Sequence, residues 1–109
     1  MNFEDHYIAL REKEGNLLTA AQIKKLPEVP KDHPQYKEWE IRKKSLSRFD
    51  AYLQHKSFYK AIEIGCGNGW FSNWLADRVQ NVIGQDIIRY ELDIAVNVFS
   101  RPNLTFVQT

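Results

Sequence analysis

The chain has 109 residues, 43% of them apolar and 27% charged, with a formal net charge of +1, enough for one small domain with one core and no bulk field that points to nucleic acid. No apolar run approaches the ~20 residues a membrane helix needs, and the acidic stretch at residues 1–5 lacks the basic-then-apolar order of a signal peptide. The single cysteine, Cys66, excludes an internal disulfide framework, so the composition points to the cytoplasm.

The charge is unevenly spread. Of the 15 Lys and Arg, 12 lie in residues 1–60, and no lysine follows Lys60. The hydrophobic period changes at the same place, which divides the chain into a helical extension at 1–59 and a second unit at 60–109. Residues 5–14 read as a short helix with Phe3, Tyr7 and Leu10 as one apolar stripe and Gly15 as its stop. Thr19 and Gln22 have the spacing of a capping box, with Leu18 and Ile23 as its hydrophobic staple. Pro27 and Pro30 end that second helix. A longer third helix is expected from about His33-Pro34, with Trp39, Leu46, Phe49 and Leu53 on one face. Its Lys and Arg residues read as a solvated face rather than a nucleic-acid patch. His6, His33 and His55 lack metal-ligand spacing, so no metal site is expected.

From residue 60 the pattern becomes strand, helix, strand, helix, strand. Residues 60–64 are short and apolar and read as a buried strand. A glycine turn, Gly65-Cys66-Gly67-Asn68-Gly69, follows. Residues 70–79 form the next helix, with Trp70, Phe71, Trp74, Leu75 and Val79 inward. Residues 81–85 are the second strand, ending at Asp86. Residues 88–100 are a helix with Leu92, Ala95, Val96 and Phe99 inward, and residues 104–109 are the third strand. This order implies parallel strands with right-handed crossovers.

Glycines at alternate positions let the backbone turn sharply and let a ligand lie against the main chain. Such ligands bind at the carboxyl ends of the strands. Asp86 ends the second strand there and can accept both hydroxyls of a ribose; it can also cap the helix that follows. Glu63 stands two residues before Gly65. The absence of Gly-Lys-Ser/Thr excludes a phosphate-gripping P-loop. Trp70 occupies the position where a dinucleotide G-x-G-x-x-G loop needs glycine. Cys66 has no histidine beyond His55 to activate it, and reads as a small residue in a crowded loop.

Residues 61–69, 82–87 and 103–108 resemble, in order, the first three strand motifs of the class I S-adenosylmethionine-dependent methyltransferases. The resemblance implies an α/β, Rossmann-like but truncated fold of three parallel strands with crossover helices, behind an N-terminal helical extension. It implies S-adenosylmethionine as cofactor and methyl transfer as the reaction of the full-length protein. Gly65, Gly67 and Gly69, with the backbone of Cys66 and Asn68, would face the methionine part. Glu63 would help hold the amino end, Asp86 the ribose, and Ile87 would flank the adenine. Tyr7, Tyr36 and Arg42 are candidates for a lid or substrate wall from the N-terminal helices.

A full domain of that family carries further strands, including a fourth beside the first. The expectation is therefore the N-terminal part of a longer enzyme, with no catalytic residue or acceptor assignable. An unpaired edge of the first strand would be covered by self-association or by the N-terminal helices. A non-catalytic cofactor-binding fragment is the alternative, and a nicotinamide-dependent oxidoreductase a more distant one.

Overall fold

The computed structural model describes residues 2–13 and 18–109. Three helices lead: α1 (Phe3–Lys13), α2 (Ala20–Lys25) and α3 (Tyr36–Gln54). An alternating unit follows: β1 (Lys60–Ile64), α4 (Trp70–Leu75), β2 (Asn81–Asp86), α5 (Arg89–Val98) and β3 (Leu104–Gln108). The strands form one parallel sheet in the order β1-β2-β3, with Ile62 opposite Ile83 and Ile83 opposite Thr105.

Local chemistry sets the element ends. The Thr19 hydroxyl accepts the Gln22 N–H at 3.2 Å, and the Gln22 side chain accepts the Thr19 N–H at 2.9 Å, which closes the expected capping box. Ile23 behind it is buried. Gly15, expected to stop α1, lies outside the described residues. The helix expected over 70–79 stops at Leu75, and turns continue to Val79. There the Asn103 amide donates to the Ala76 and Val79 carbonyls at 2.8 and 3.3 Å, satisfying groups that a helix end leaves open. α3 starts at Tyr36 rather than near His33, whose ring Nδ1 accepts the Gln35 N–H just before it.

The core lies between the helices and one face of the sheet. Leu53 of α3 joins Leu75, Ala76, Val79 and Val82 in it. Phe49 fixes α3 over α4 by stacking 6.0 Å from Trp74 and lying 6.2 Å from Phe71. The Arg78–Asp50 ion pair, 2.8 Å, ties α3 to the turns that follow α4.

Three expected faces need correction. β1 is not buried: Ile62 and Ile64 are 59% and 84% exposed. Successive right-handed crossovers in one direction put α4 and α5 on the same side of the sheet, which leaves the face with Ile62, Ile64, Ile83 and Val107 without either crossover helix. On α5, Val96 is 55% exposed while Glu91 is buried, because the inward stripe runs through Ile88, Leu92, Ala95 and Phe99. On α1, Phe3 and Leu10 are exposed, and that helix docks through Tyr7 and Glu4 instead.

β1 pairs only with β2, and no described strand pairs with its outer edge. No helix among the described residues is long and apolar enough to cross a membrane.

Candidate cofactor site

The glycine turn leaves β1 and folds back over the end of β2. The Gly65 and Cys66 N–H groups both donate to the Gln85 carbonyl, at 2.7 and 2.9 Å. Gly65, Gly67 and Gly69 have φ of 72°, 55° and 85°, a left-handed backbone that a side chain disfavours. Gly65 and Gly67 would meet nothing within 4 Å among the described residues if given a Cβ, so the space beside them is open there. Gly69 has a second reason: a Cβ there would meet the Phe106 ring at 2.7 Å and Ala95 at 2.9 Å. The Asn68 side chain accepts the Trp70 N–H at 3.2 Å and so links the turn to α4.

Two carboxylates flank this turn. Asp86 is buried; one of its oxygens accepts the Gly67 N–H at 2.8 Å and the other the Ile88 N–H at 2.9 Å. Asp86 therefore latches the glycine turn and also shapes the entry to α5, two residues before the cap position. Each oxygen keeps a further lone pair for a ligand. Glu63 accepts the Ser72 hydroxyl at 2.6 Å. Burial holds its pKa above the ordinary glutamate value, against the opposing pull of the Ser72 bond, and nearby Asp86 adds to the rise. Burial, helped by the negative charges of Glu63 and Asp86, pushes the Cys66 thiol up to about 12. A thiol so protonated is no nucleophile at neutral pH.

A cavity of about 270 Å³ opens over the turn. Glu63, Gly65, Cys66, Gly67, Asn68 and Asp86 line it, which unites six of the eight expected site residues. Gly69 lies below the turn at the start of α4, and Ile87 stands outside the lining, 57% exposed. Of the N-terminal candidates, Tyr7 and Arg42 are in the wall and Tyr36 is not. The same wall holds Arg11, Gln35, Trp39, Trp70 and Glu91, which the sequence reading did not assign to the site. Glu91 announced itself only as an acid on the apolar face of α5. Tyr7 donates to it at 3.0 Å, and the Tyr7 hydroxyl is pushed up to about 12 by burial and by the Glu91 charge. No cluster of metal-ligating side chains occurs among the described residues.

Parallel strands, crossover helices and a ligand-sized cavity at the carboxyl end of the sheet define a Rossmann-like α/β unit. Residues 62–109 match a family model described as a methyltransferase domain, a span that takes in nearly the whole sheet. The fold is shared with an S-adenosylmethionine-dependent methyltransferase from Anabaena variabilis, at a TM-score of 0.55 and 19% identity over all of this chain and 40% of that one. A second such enzyme, from Mesorhizobium loti, gives 0.45 and 22% over 54% of this chain and 30% of its own. A TehB-like one from Corynebacterium glutamicum gives 0.44 and 22% over 67% and 44%. This chain thus spans less than half the length of those structures. No curated protein matches it in sequence. The match of residues 62–109 to a methyltransferase domain agrees with the resemblance of the three strand motifs to class I S-adenosylmethionine-dependent methyltransferases.

Proposed function

We propose that the cavity holds S-adenosylmethionine and that the protein, in its full form, transfers the cofactor's methyl group to an acceptor. The observation that carries this reading is the meeting of Glu63, Asp86 and the open glycine turn on one cavity. The residues suit the ligand. Main chain at Gly65 and Gly67 leaves room for the sulfonium and its amino-acid chain. Glu63, short of a cation, suits an ammonium group. Asp86 has lone pairs left for ribose hydroxyls once its two backbone bonds are made.

The cofactor, when bound, supplies a methyl group activated on a sulfonium. This chain's contribution is to hold and orient the cofactor, the kind of catalysis in which proximity dominates. A second reading is binding without turnover: each lining residue given a role above holds the cofactor, and none is assigned to an acceptor.

Calorimetry with S-adenosylmethionine, S-adenosylhomocysteine and NAD tests the cofactor reading. Binding of the first two and not the third is expected; binding of NAD alone would overturn it. Transfer of labelled methyl to candidate acceptors separates the enzyme from the binding module.

A further inference from the structure

α3 and α4 touch through aromatic rings at two places. Trp39 meets Trp70 edge-on, with ring centres 5.1 Å apart, and Phe49 lies 6.2 Å from Phe71. Trp39 and Phe49 stand about 15 Å apart along α3. On that stretch the two helices leave a groove of about 320 Å³. Ile41, Ser45 and Phe49 recur every fourth residue, with Leu46 beside them, and form one bank. Trp70 and Phe71, in the first turn of α4, form the other. The lining is apolar apart from Ser45 and Arg42. Ile41 is 64% exposed, so the groove is open to solvent.

This groove runs into the cofactor cavity, since Arg42 and Trp70 line both. At the junction the Arg42 guanidinium lies 4.4 Å from the Trp39 ring centre. It makes no ion pair among the described residues, whereas its neighbour Lys43 pairs with both Glu28 and Glu40. The ring attracts the charge but does not take up the N–H donors as a carboxylate would. A second observation falls at the same junction. Trp39 is only 6% exposed, and its Nε1 is buried without a hydrogen-bond partner among the described residues. Such an orphan donor is rare in a folded chain and is satisfied when an acceptor oxygen reaches it.

An apolar groove that ends on a free guanidinium fork and an unpartnered N–H suits a ligand with an apolar body and a planar anionic head. We propose that the groove between α3 and α4 is the acceptor subsite, and that the acceptor is a carboxylic acid with an apolar body whose carboxylate sits on Arg42 at the mouth of the cofactor cavity. The assignment rests on the cofactor reading above and adds the substrate class to it. A carboxylate brings its own charge and needs no base. Its oxygen forms the new bond to the methyl carbon as the carbon–sulfur bond breaks and that electron pair stays on sulfur. A methyl ester and S-adenosylhomocysteine result, and no proton moves.

Three probes separate head from body in NMR titrations of the 109-residue chain with S-adenosylhomocysteine present. Octanoate has both parts, octanamide lacks the charge, and acetate lacks the body. Octanoate should bind and move the Trp39 and Trp70 indole signals. Octanamide should bind about tenfold more weakly, and acetate not detectably. Arg42→Gln should bring octanoate down to the octanamide level. Arg42→Lys keeps the charge without the planar fork and should lose less. Ile41→Asp, at an exposed position outside the cofactor cavity, should weaken octanoate and octanamide alike and leave S-adenosylhomocysteine affinity unchanged.

Octanoate binding that ignores both Arg42→Gln and Ile41→Asp would overturn the assignment. So would the absence of octanoate binding by a chain that binds S-adenosylhomocysteine, an outcome that leaves the cofactor reading standing. A chain that bound octanoate and not S-adenosylhomocysteine would sink the cofactor reading, and the acceptor role with it. A groove covered by a second copy would appear in sedimentation as a dimer that Ile41→Asp dissociates and octanoate does not enter, which would also overturn the assignment.

Discussion

Asp86 Oδ2 accepts the Gly67 N–H at 2.8 Å, which joins the end of β2 to the middle of the glycine turn across 19 residues of chain. Its other oxygen holds the Ile88 N–H at 2.9 Å. One buried carboxylate thus fixes the turn that lines the cavity and the approach to α5, and ligand binding and stability are coupled through it.

Asp86→Ala is expected to lose on both counts. Each hydrogen bond to a buried charged group contributes about 1.5–3 kcal/mol, so destabilisation on the order of 2 kcal/mol or more should appear in urea titration. Affinity for S-adenosylhomocysteine should fall about tenfold or further. Asp86→Asn keeps one acceptor oxygen and should lose less of each. An Ala variant with unchanged midpoint and affinity would remove Asp86 from both roles.

Gly84 faces the same layer from below. A Cβ there would stand 2.8 Å from the Phe106 ring and 2.9 Å from the Ser72 hydroxyl that serves Glu63. Gly84→Ala should therefore cost about 1–3 kcal/mol by overpacking. Weaker ligand binding should accompany it, because Ser72 must shift. Equal stability of variant and parent in denaturant would show that the layer yields freely.

Glu63 gives the stability a pH dependence of known sign. Folding raises its pKa above the ordinary 4.5, so over that interval the folded chain keeps a proton that the unfolded chain has lost. The contribution of this group to stability therefore falls as pH rises from the ordinary glutamate range through the raised value. Glu63→Gln can still accept the Ser72 hydroxyl. It should remove this part of the pH dependence and raise the melting temperature at neutral pH, while weakening the cofactor. Parallel Tm-against-pH curves for the two proteins would contradict this.

Cys66 is buried and its thiol is pushed up to about 12. Alkylation by iodoacetamide at neutral pH should be slow in the folded chain and fast in denaturant, followed by intact mass. Rapid labelling of the native chain would mean that the loop opens.

How much of this was legible in the sequence varies with how local the cause is. The capping box at Thr19 and Gln22 and the strand limits of β1 follow from neighbours within a few residues. The glycine spacing likewise specifies a left-handed turn wherever it occurs. The cofactor class was readable because the first two strand motifs, with their acids, survive as short linear patterns. α5 was readable as a helix with Leu92, Ala95 and Phe99 inward, but not at the margins of that face: Val96 is exposed, and Glu91 is buried where it accepts the hydroxyl of the distant Tyr7.

The sequence by itself determined the order of elements, the glycine turn and the two acids beside it, since spacing and backbone preference act over a few residues. The tertiary structure alone decided which surfaces those elements meet. It left one face of the sheet without a crossover helix because both crossovers turn the same way, and it brought Arg11, Trp39 and Glu91 to a cavity whose other wall begins more than 20 residues from α3's Arg42. Periodicity names the apolar side of a helix; it carries no information about the partner, because that choice is made by contacts between segments far apart in the chain.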